Sequence, residues 1–179
     1  MFQATVRTLA LLLVAPLLAV ALPAPAFAAD QPAPVFAANG PISGPTQLAP
    51  VPAAELMSLV VTMTNQQRYA NGCGQLDVDQ ELIIASERQS GYMAETHRFS
   101  HIGWGGSTFV TRAQRAGYAQ PAGENIAWGY PTAEQVMDAW MASPPHRRNI
   151  LNCDLKSIGT GVRYSDDGTP YYTQVFGWE

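Results

Sequence analysis

Chemistry in this chain must come from a short supply of side chains: three histidines, two cysteines and fourteen carboxylates among 179 residues. His97 and His101 stand four apart, a spacing that puts two imidazoles on one helix face and can hold a metal ion. The run Phe99-Ser100-His101-Ile102-Gly103, however, reads as a helix exit, which breaks that geometry. On spacing alone a lone histidine here is more often structural. Glu124 is flanked by Gly123 and Asn125 beside Ile126 and Ala127. A carboxylate in that setting suits a core poorly; it either faces a cavity or bonds to loop amides. His146, within Trp140 to Leu151, is either a ligand or the cap of a neighbouring helix, and Arg147 and Arg148 are expected to be solvated. Together, His101, Glu124 and His146 would form a two-histidine, one-carboxylate set. Such a set can hold Zn²⁺ with a position left for water, whose pKa the ion would lower toward 7. Without metal, a histidine beside a carboxylate can act as a general base. Separations of 23 and 22 residues mean that only the fold can bring the three together. Ser143 could be read as a nucleophile with His146, but no nucleophile-elbow pattern surrounds it, and a serine before Pro144-Pro145 more simply ends a helix.

These side chains need elements to carry them. Ala54 to Ala70 has apolar residues at Leu56, Val60, Met63 and Tyr69, close to a 3.6 period, and predicts a first helix ended by Asn71-Gly72. A second helix starts at Asp77 or Asp79, either of which can cap it. It presents Leu82, Ser86, Gln89 or Ser90, Met93 and His97 on one face. Gly91 weakens that helix by about 1 kcal/mol relative to Ala and points to close packing. Gly103 to Ser107 reads as a loop, and Phe109 to Gly117 as a short helix. Thr132-Ala133-Glu134-Gln135 has the capping-box pattern, with Gln135 able to reach back to the Thr132 amide. Val136, Ala139, Trp140 and Ser143 form the inner stripe of the helix it opens. Pro144-Pro145 stops that helix, and His146 to Leu151 forms another. Ser157 to Tyr164 and Tyr171 to Trp178 suit strands, joined by a hairpin turn at Asp166-Asp167-Gly168. Helices first and strands last argue for an α+β fold.

Charge and the amino-terminal stretch narrow the setting. Ten basic against fourteen acidic side chains give a net charge of −4, which argues against nucleic acid as a partner. So few histidines and cysteines exclude a cysteine-rich zinc module. Residues 1–28 read as a secretory signal: Arg7 is the positive region, Leu9 to Leu22 the apolar region interrupted only by Pro16, and Ala26-Phe27-Ala28 the cleavage box. Roughly 14 apolar residues fall short of the ~20 of a membrane span, so no stable membrane anchor is expected after cleavage. The expected location is extracellular. Cleavage removes Arg7 and takes the net charge from −4 to −5. Residues 29–52 are rich in Pro and Ala without helical or strand period and read as a linker. One globular domain is expected over residues 53–179.

In an exported chain, Cys73 and Cys153 are best read as a disulfide. It would close a loop of roughly 80 residues, worth about 4.5 kcal/mol in the chain-entropy picture. The alternative is a reactive thiol, but Cys73 lies beside glycines and Cys153 precedes Asp154. Neither has a basic neighbour to favour thiolate.

Taken together the motifs become specific. Asn65-Gln66-Gln67-Arg68, Gly72-Cys73-Gly74-Gln75-Leu76, Phe99-Ser100-His101, Arg115-Ala116-Gly117-Tyr118, Gly123-Glu124-Asn125-Ile126-Ala127, Trp140 to Leu151, Ile158-Gly159-Thr160-Gly161-Val162 and Tyr172-Thr173-Gln174-Val175-Phe176-Gly177 run in order over nearly all of residues 54–178. In this the chain resembles the CAP domain family of cysteine-rich secretory proteins, antigen 5 and pathogenesis-related proteins, in its bacterial secreted branch. The resemblance implies an α–β–α sandwich with a small antiparallel sheet between helical layers. It also implies an open cavity with two histidines and two glutamates, which in some members bind zinc. His101 matches the first family histidine and Glu124 the glutamate of the Gly-Glu-Asn motif. Ser143 stands where a second glutamate would be, and Tyr171 where a second histidine would be. His146 belongs to the Ser-Pro-x-His pattern of the bacterial branch and is the candidate to replace a missing ligand. Asn125 and Gln174, from the matched motifs, are expected to support the cavity.

Three functional classes follow. The first is a non-enzymatic exported module that binds a small ligand or divalent ion, or an extracellular protein in envelope or host interactions. The second is a metal-assisted hydrolase or peptidase. The third is a lipid or sterol carrier, for which only Ile102 to Val110, with Trp104 and Phe109, offers sequence support. The first is favoured, because fold-level analogy alone does not establish chemistry.

Overall fold

The structure is a computed structural model and describes residues 50–179; the expected signal of residues 1–28 and nearly all of the linker of residues 29–52 lie outside the described residues. Strands β3 (Ser157–Tyr164) and β4 (Pro170–Gly177) form the expected hairpin, and the other elements are built around it. Its turn is held from within. The Asp167 carboxylate accepts from the Ser165 hydroxyl at 2.6 Å and from the Thr169 N–H at 2.9 Å. Gly168 takes a left-handed φ of 81°, which glycine adopts without steric cost.

Two more strands flank the hairpin. β2 (Pro121–Trp128) runs antiparallel to β4, and β1 (Asp77–Val78) runs parallel to β3, giving the order β1-β3-β4-β2. The sheet is therefore mixed, where a purely antiparallel one was expected. Neither flanking strand was anticipated. Pro, Gly and Asn in Pro121-Ala122-Gly123-Glu124-Asn125 are poor strand formers. They are tolerated because β2 is an edge strand, with Pro121 at its first position and a register shift between Pro121 and Gly123. Asp77 enters β1, so the cap of the next helix is Asp79, whose side chain accepts from Leu82 N–H at 2.9 Å.

That helix, α2 (Gln80–Thr96), covers one face of the sheet at backbone contact. A Cβ on Gly159 would lie 2.1 Å from the Leu82 carbonyl carbon, and one on Gly161 would lie 2.4 Å from that of Ser86. The space saved lets Ser86 and Ser90 donate to the Gly159 and Gly161 carbonyls at 2.9 and 2.8 Å. Gly91, on the outer side, is covered by the Trp104 ring, 3.6 Å from where its Cβ would be. Helix α3 (Phe109–Ala116) joins the same layer, with Ala113 packed on Leu82, Ala85 and Val175.

On the opposite face, α1 (Ala53–Ala70) and α4 (Ala133–Ala142) bury Leu56, Val60, Val136, Met137 and Trp140 against Ile158, Val162, Tyr172 and Phe176. The result is the α–β–α layering expected of the α+β class. Helix α5 (Pro144–Ile150) follows α4 after Ser143, with Pro144 starting it. Only half of the capping box expected at α4 forms: Thr132 accepts from Gln135 N–H at 3.3 Å. The reciprocal box stands instead at α3, between Thr108 and Thr111.

At the end of α1 the chain is fastened twice. Cys73 and Cys153 form the expected disulfide. Beside it Arg68, fully buried, donates to the carbonyls of Gly74, Ile150, Asn152 and Leu155 at 2.8, 2.9, 2.7 and 3.3 Å. Burial pushes its pKa down; with no carboxylate beside it, carbonyl dipoles replace the water it has lost.

Candidate functional site

Helix α2 ends at Thr96 because His97 turns left-handed, with φ 54°. His97 and His101 therefore share no helix face, and His97 points to the hairpin turn, its Nε2 3.1 Å from Asp166. The chain beyond is pinned at short range. The Gln89 amide donates to the Ser100 carbonyl, Ser100 Oγ accepts from Ile102 N–H at 2.9 Å, and Arg112 reaches the His101 carbonyl at 3.3 Å. This holds the His101 ring over the edge of β2, half exposed.

Glu124 meets it there. The Glu124 side chain is 1% exposed, and each of its oxygens has a partner. Oε1 is 2.8 Å from His101 Nδ1, and Oε2 is 2.5 Å from Arg112 Nη2. A carboxylate oxygen can only accept, so the proton of this bond sits on Nδ1 and the other ring nitrogen, Nε2, is left free. Glu124 thus faces side chains, and neither the cavity nor the loop amides offered as its alternatives; neither it nor His101 lines the cavity at the β2 edge.

Arg112 was not singled out from the sequence. It comes from α3, is 4% exposed, and also donates to the Ser107 carbonyl at 2.7 Å. A signal was present: Arg112 sits on the same stripe as Phe109, Ala113 and Ala116, the i, i+3, i+4, i+7 positions that face inward. A buried arginine requires a partner, and Glu124 supplies it. Its site is tightly made. A Cβ on Gly103 would lie 2.6 Å from Gln89 Oε1, 3.1 Å from Ser107 Oγ and 3.3 Å from Arg112 Nη1.

His146 lies across the edge of the sheet, on α5. Its carbonyl accepts from Asn125 Nδ2 at 3.2 Å. Asn149 of the same helix donates to Asn125 Oδ1 at 2.8 Å and to the Glu124 carbonyl at 3.3 Å. Asn125 in turn donates to Gln174 Oε1 at 3.2 Å, and Gln174 donates to Thr64 Oγ1 at 2.7 Å. Asn125 and Gln174 therefore form a buried amide chain from α5 through the sheet to α1. Burial lowers the His146 pKa, and the charge of His101 lowers it further. His146 thus lies close enough to His101 for the two imidazoles to interact.

Ser143 and His146, with Ala139 and Trp140, form one wall of a cavity of about 400 Å³ at the β2 edge. Phe99, Ile126, Ala127, Trp128 and Tyr130 complete it. Tyr171 does not line it; it stacks behind Trp128, ring centroids 6.3 Å apart and planes 20° apart. Ser143 joins α4 to α5 without a side-chain capping bond.

The residues present do not fit a three-ligand zinc site. Both Glu124 oxygens are occupied, one by a guanidinium, and among the described residues no group of three His, Cys, Asp or Glu side chains is placed to hold one ion.

Comparison with known proteins agrees with this architecture. The sequence profile of the CAP group, described as the cysteine-rich secretory protein family, matches residues 61–176. The chain belongs to the CAP family. The uncharacterized protein YkwD of Bacillus subtilis is 34% identical over 134 residues, 74% of this chain and 51% of that protein. An uncharacterized membrane protein of the same species, YlbC, is 31% identical over 65% of this chain and 33% of its own length. The chain thus spans about half or a third of the length of the curated relatives it matches. Among solved structures, an extracellular SCP-domain protein of Bacillus anthracis is 27% identical, with a TM-score of 0.65 over 71% of this chain and 41% of that one. An outer surface protein of Borrelia burgdorferi shares the fold at 21% identity and a TM-score of 0.64, over 71% of this chain and 95% of its own. Among the described residues of this CAP domain, no helix is long and apolar enough to cross a membrane.

Proposed function

We propose that this CAP domain is an exported binding module. Its working part is the β2-edge cavity, which takes a small uncharged ligand without the help of a metal ion. The observation that carries this reading is a cavity lined by apolar and aromatic side chains with no carboxylate, guanidinium or ammonium group, while the nearby Glu124 carboxylate is already paired with Arg112 and His101. A concave site with aromatic walls and few polar groups is the usual form of a small-molecule site. Export is supported by the leader pattern of residues 1–28 and by the extracellular and surface relatives.

A hydrolytic reading has one specific observation in its favour. The Glu124 contact fixes the His101 ring and leaves Nε2 free in the half-exposed imidazole, the arrangement of a general base. No nucleophile is hydrogen-bonded to that nitrogen among the described residues, so the base would act on water.

The test is a ligand-observed NMR screen with a fragment set of neutral, anionic and cationic compounds. The binding reading expects neutral fragments to perturb Trp128, Trp140 and His146 and to lose contact in Ala139→Trp, which fills the cavity. Hits that are mainly charged, or that ignore Ala139→Trp, would overturn it. Turnover of ester or peptide libraries that is lost in His101→Ala and unaffected by chelator would favour the hydrolytic reading instead.

A further inference from the structure

The rings around the cavity are arranged for more than apolar burial. Trp128 is 52% exposed and Phe99 51% exposed, whereas Trp140 in the same lining is buried. Neither exposed ring stands alone. Trp128 stacks on the buried Tyr171, and Phe99 stands 6.5 Å from Trp128 with its plane tilted by 53°. The two rings therefore form a splayed cleft open to water, backed by Tyr171. Three half-buried polar groups of the lining have no hydrogen-bond partner among the described residues: the Ser143 hydroxyl, the His146 ring and the Tyr130 hydroxyl. The lining bears no carboxylate, guanidinium or ammonium.

We infer that this cleft takes an uncharged pyranose ring, stacked by its C–H face on Trp128 and Phe99 with its hydroxyls turned to Ser143, His146 and Tyr130. The inference rests on the cavity-binding reading above and names its ligand class. A sugar ring has the two-sided character that these walls require: an apolar face that matches an exposed indole, and an equator of hydroxyls that both donate and accept. The imidazole and the two hydroxyls can do both as well. An acyl chain would leave those three polar groups unpaired and buried, at a cost. A charged sugar or phosphate would find no counter-charge in the wall. The volume, about 400 Å³, lies within the range of small-molecule sites.

The experiment uses the purified protein with N,N′-diacetylchitobiose and cellobiose as probes, read by saturation-transfer NMR and by calorimetry. At least one disaccharide is expected to bind, with strongest transfer to the axial ring protons. Affinity should fall about tenfold in Trp128→Ala, as expected for loss of a stacked ring, and less in Trp128→Phe. Trp104→Ala removes another half-exposed indole, outside the cavity, and should leave binding unchanged. If neither disaccharide binds, or if binding survives Trp128→Ala, the inference is overturned. The broader cavity reading then still stands or falls on the neutral fragments and Ala139→Trp. A proline-rich peptide copying residues 30–50 that binds at Trp128 where the sugars do not would also overturn it, and would make the cleft a peptide site.

Discussion

Two buried arginines divide the molecule. Arg68, at the disulfide end, spends its guanidinium on four backbone carbonyls and meets no acid. Arg112, at the open edge of the sheet, clamps one oxygen of Glu124 and leaves its own Nε without a partner. Both are cations taken out of water, and both must be compensated. Their compensation differs in kind. Carbonyl dipoles from four points of the chain hold α1, α5 and the start of the sheet together; this is a fastening. Around Arg112 the Ser107 and His101 carbonyls are joined by a carboxylate that also holds an imidazole, and so orients it. The first arrangement ends in the protein, whereas the second ends in a half-exposed ring at the β2 edge.

The contrast can be broken from either side. The largest effect is expected at the fastening. Cys73→Ser with Cys153→Ser should cost about 4.5 kcal/mol by loop entropy, and Arg68→Ala about 4 kcal/mol through carbonyls left unpaired in the interior. Urea unfolding would measure both, and the Nδ1–H resonance of His101 should remain where it is in the wild type. Next comes Arg112→Ala, which strands the Glu124 carboxylate and should cost about 3 kcal/mol. This variant should also move or broaden the His101 Nδ1–H signal, which Arg68→Ala should not. Equal spectra in the two variants would erase the distinction. Gly103→Ala should be smaller, about 2 kcal/mol from overpacking against Gln89 and Arg112, again with a change at His101. The smallest effect lies at the hairpin turn. Hydrogen bonds from Ser165 and Thr169 hold Asp167 down to about 2. A carboxylate depressed on folding adds stability above its ordinary value, and that stability is lost as the pH falls through about 2. Carboxyl NMR titration checks this, with Asp167→Asn abolishing the step.

The same contrast explains what could be read from the sequence. The helices α1, α2, α3 and α4 announced themselves by period and by caps such as Asp79, Thr132 and Gly117. The hairpin announced itself by Asp166-Asp167-Gly168. The disulfide followed from two cysteines in a chain with an export signal. Strand β2 was hidden because Pro121, Gly123 and Asn125 carry no strand propensity; it is held in the sheet by β4 and by the amide chain through Asn125. The pairing of His101 with Glu124 was legible as a set of residue types, but Arg112 changes what the pair can do. Nothing local marks an arginine as the partner of a carboxylate twelve residues away across a turn. The Phe99–Trp128 cleft was also missed, since its two rings come from a loop and from the hidden strand.

The central claim is that Glu124 is spent on Arg112 and His101 and is not free to hold a metal ion. Imidazole NMR of the purified protein during Zn²⁺ addition tests it most directly. The account predicts that one equivalent of Zn²⁺ leaves the His101 and His146 ring signals in place, with the Nδ1–H of His101 still bonded to Glu124. A one-to-one shift of both rings, with loss of that proton and abolished by His101→Ala, would contradict it.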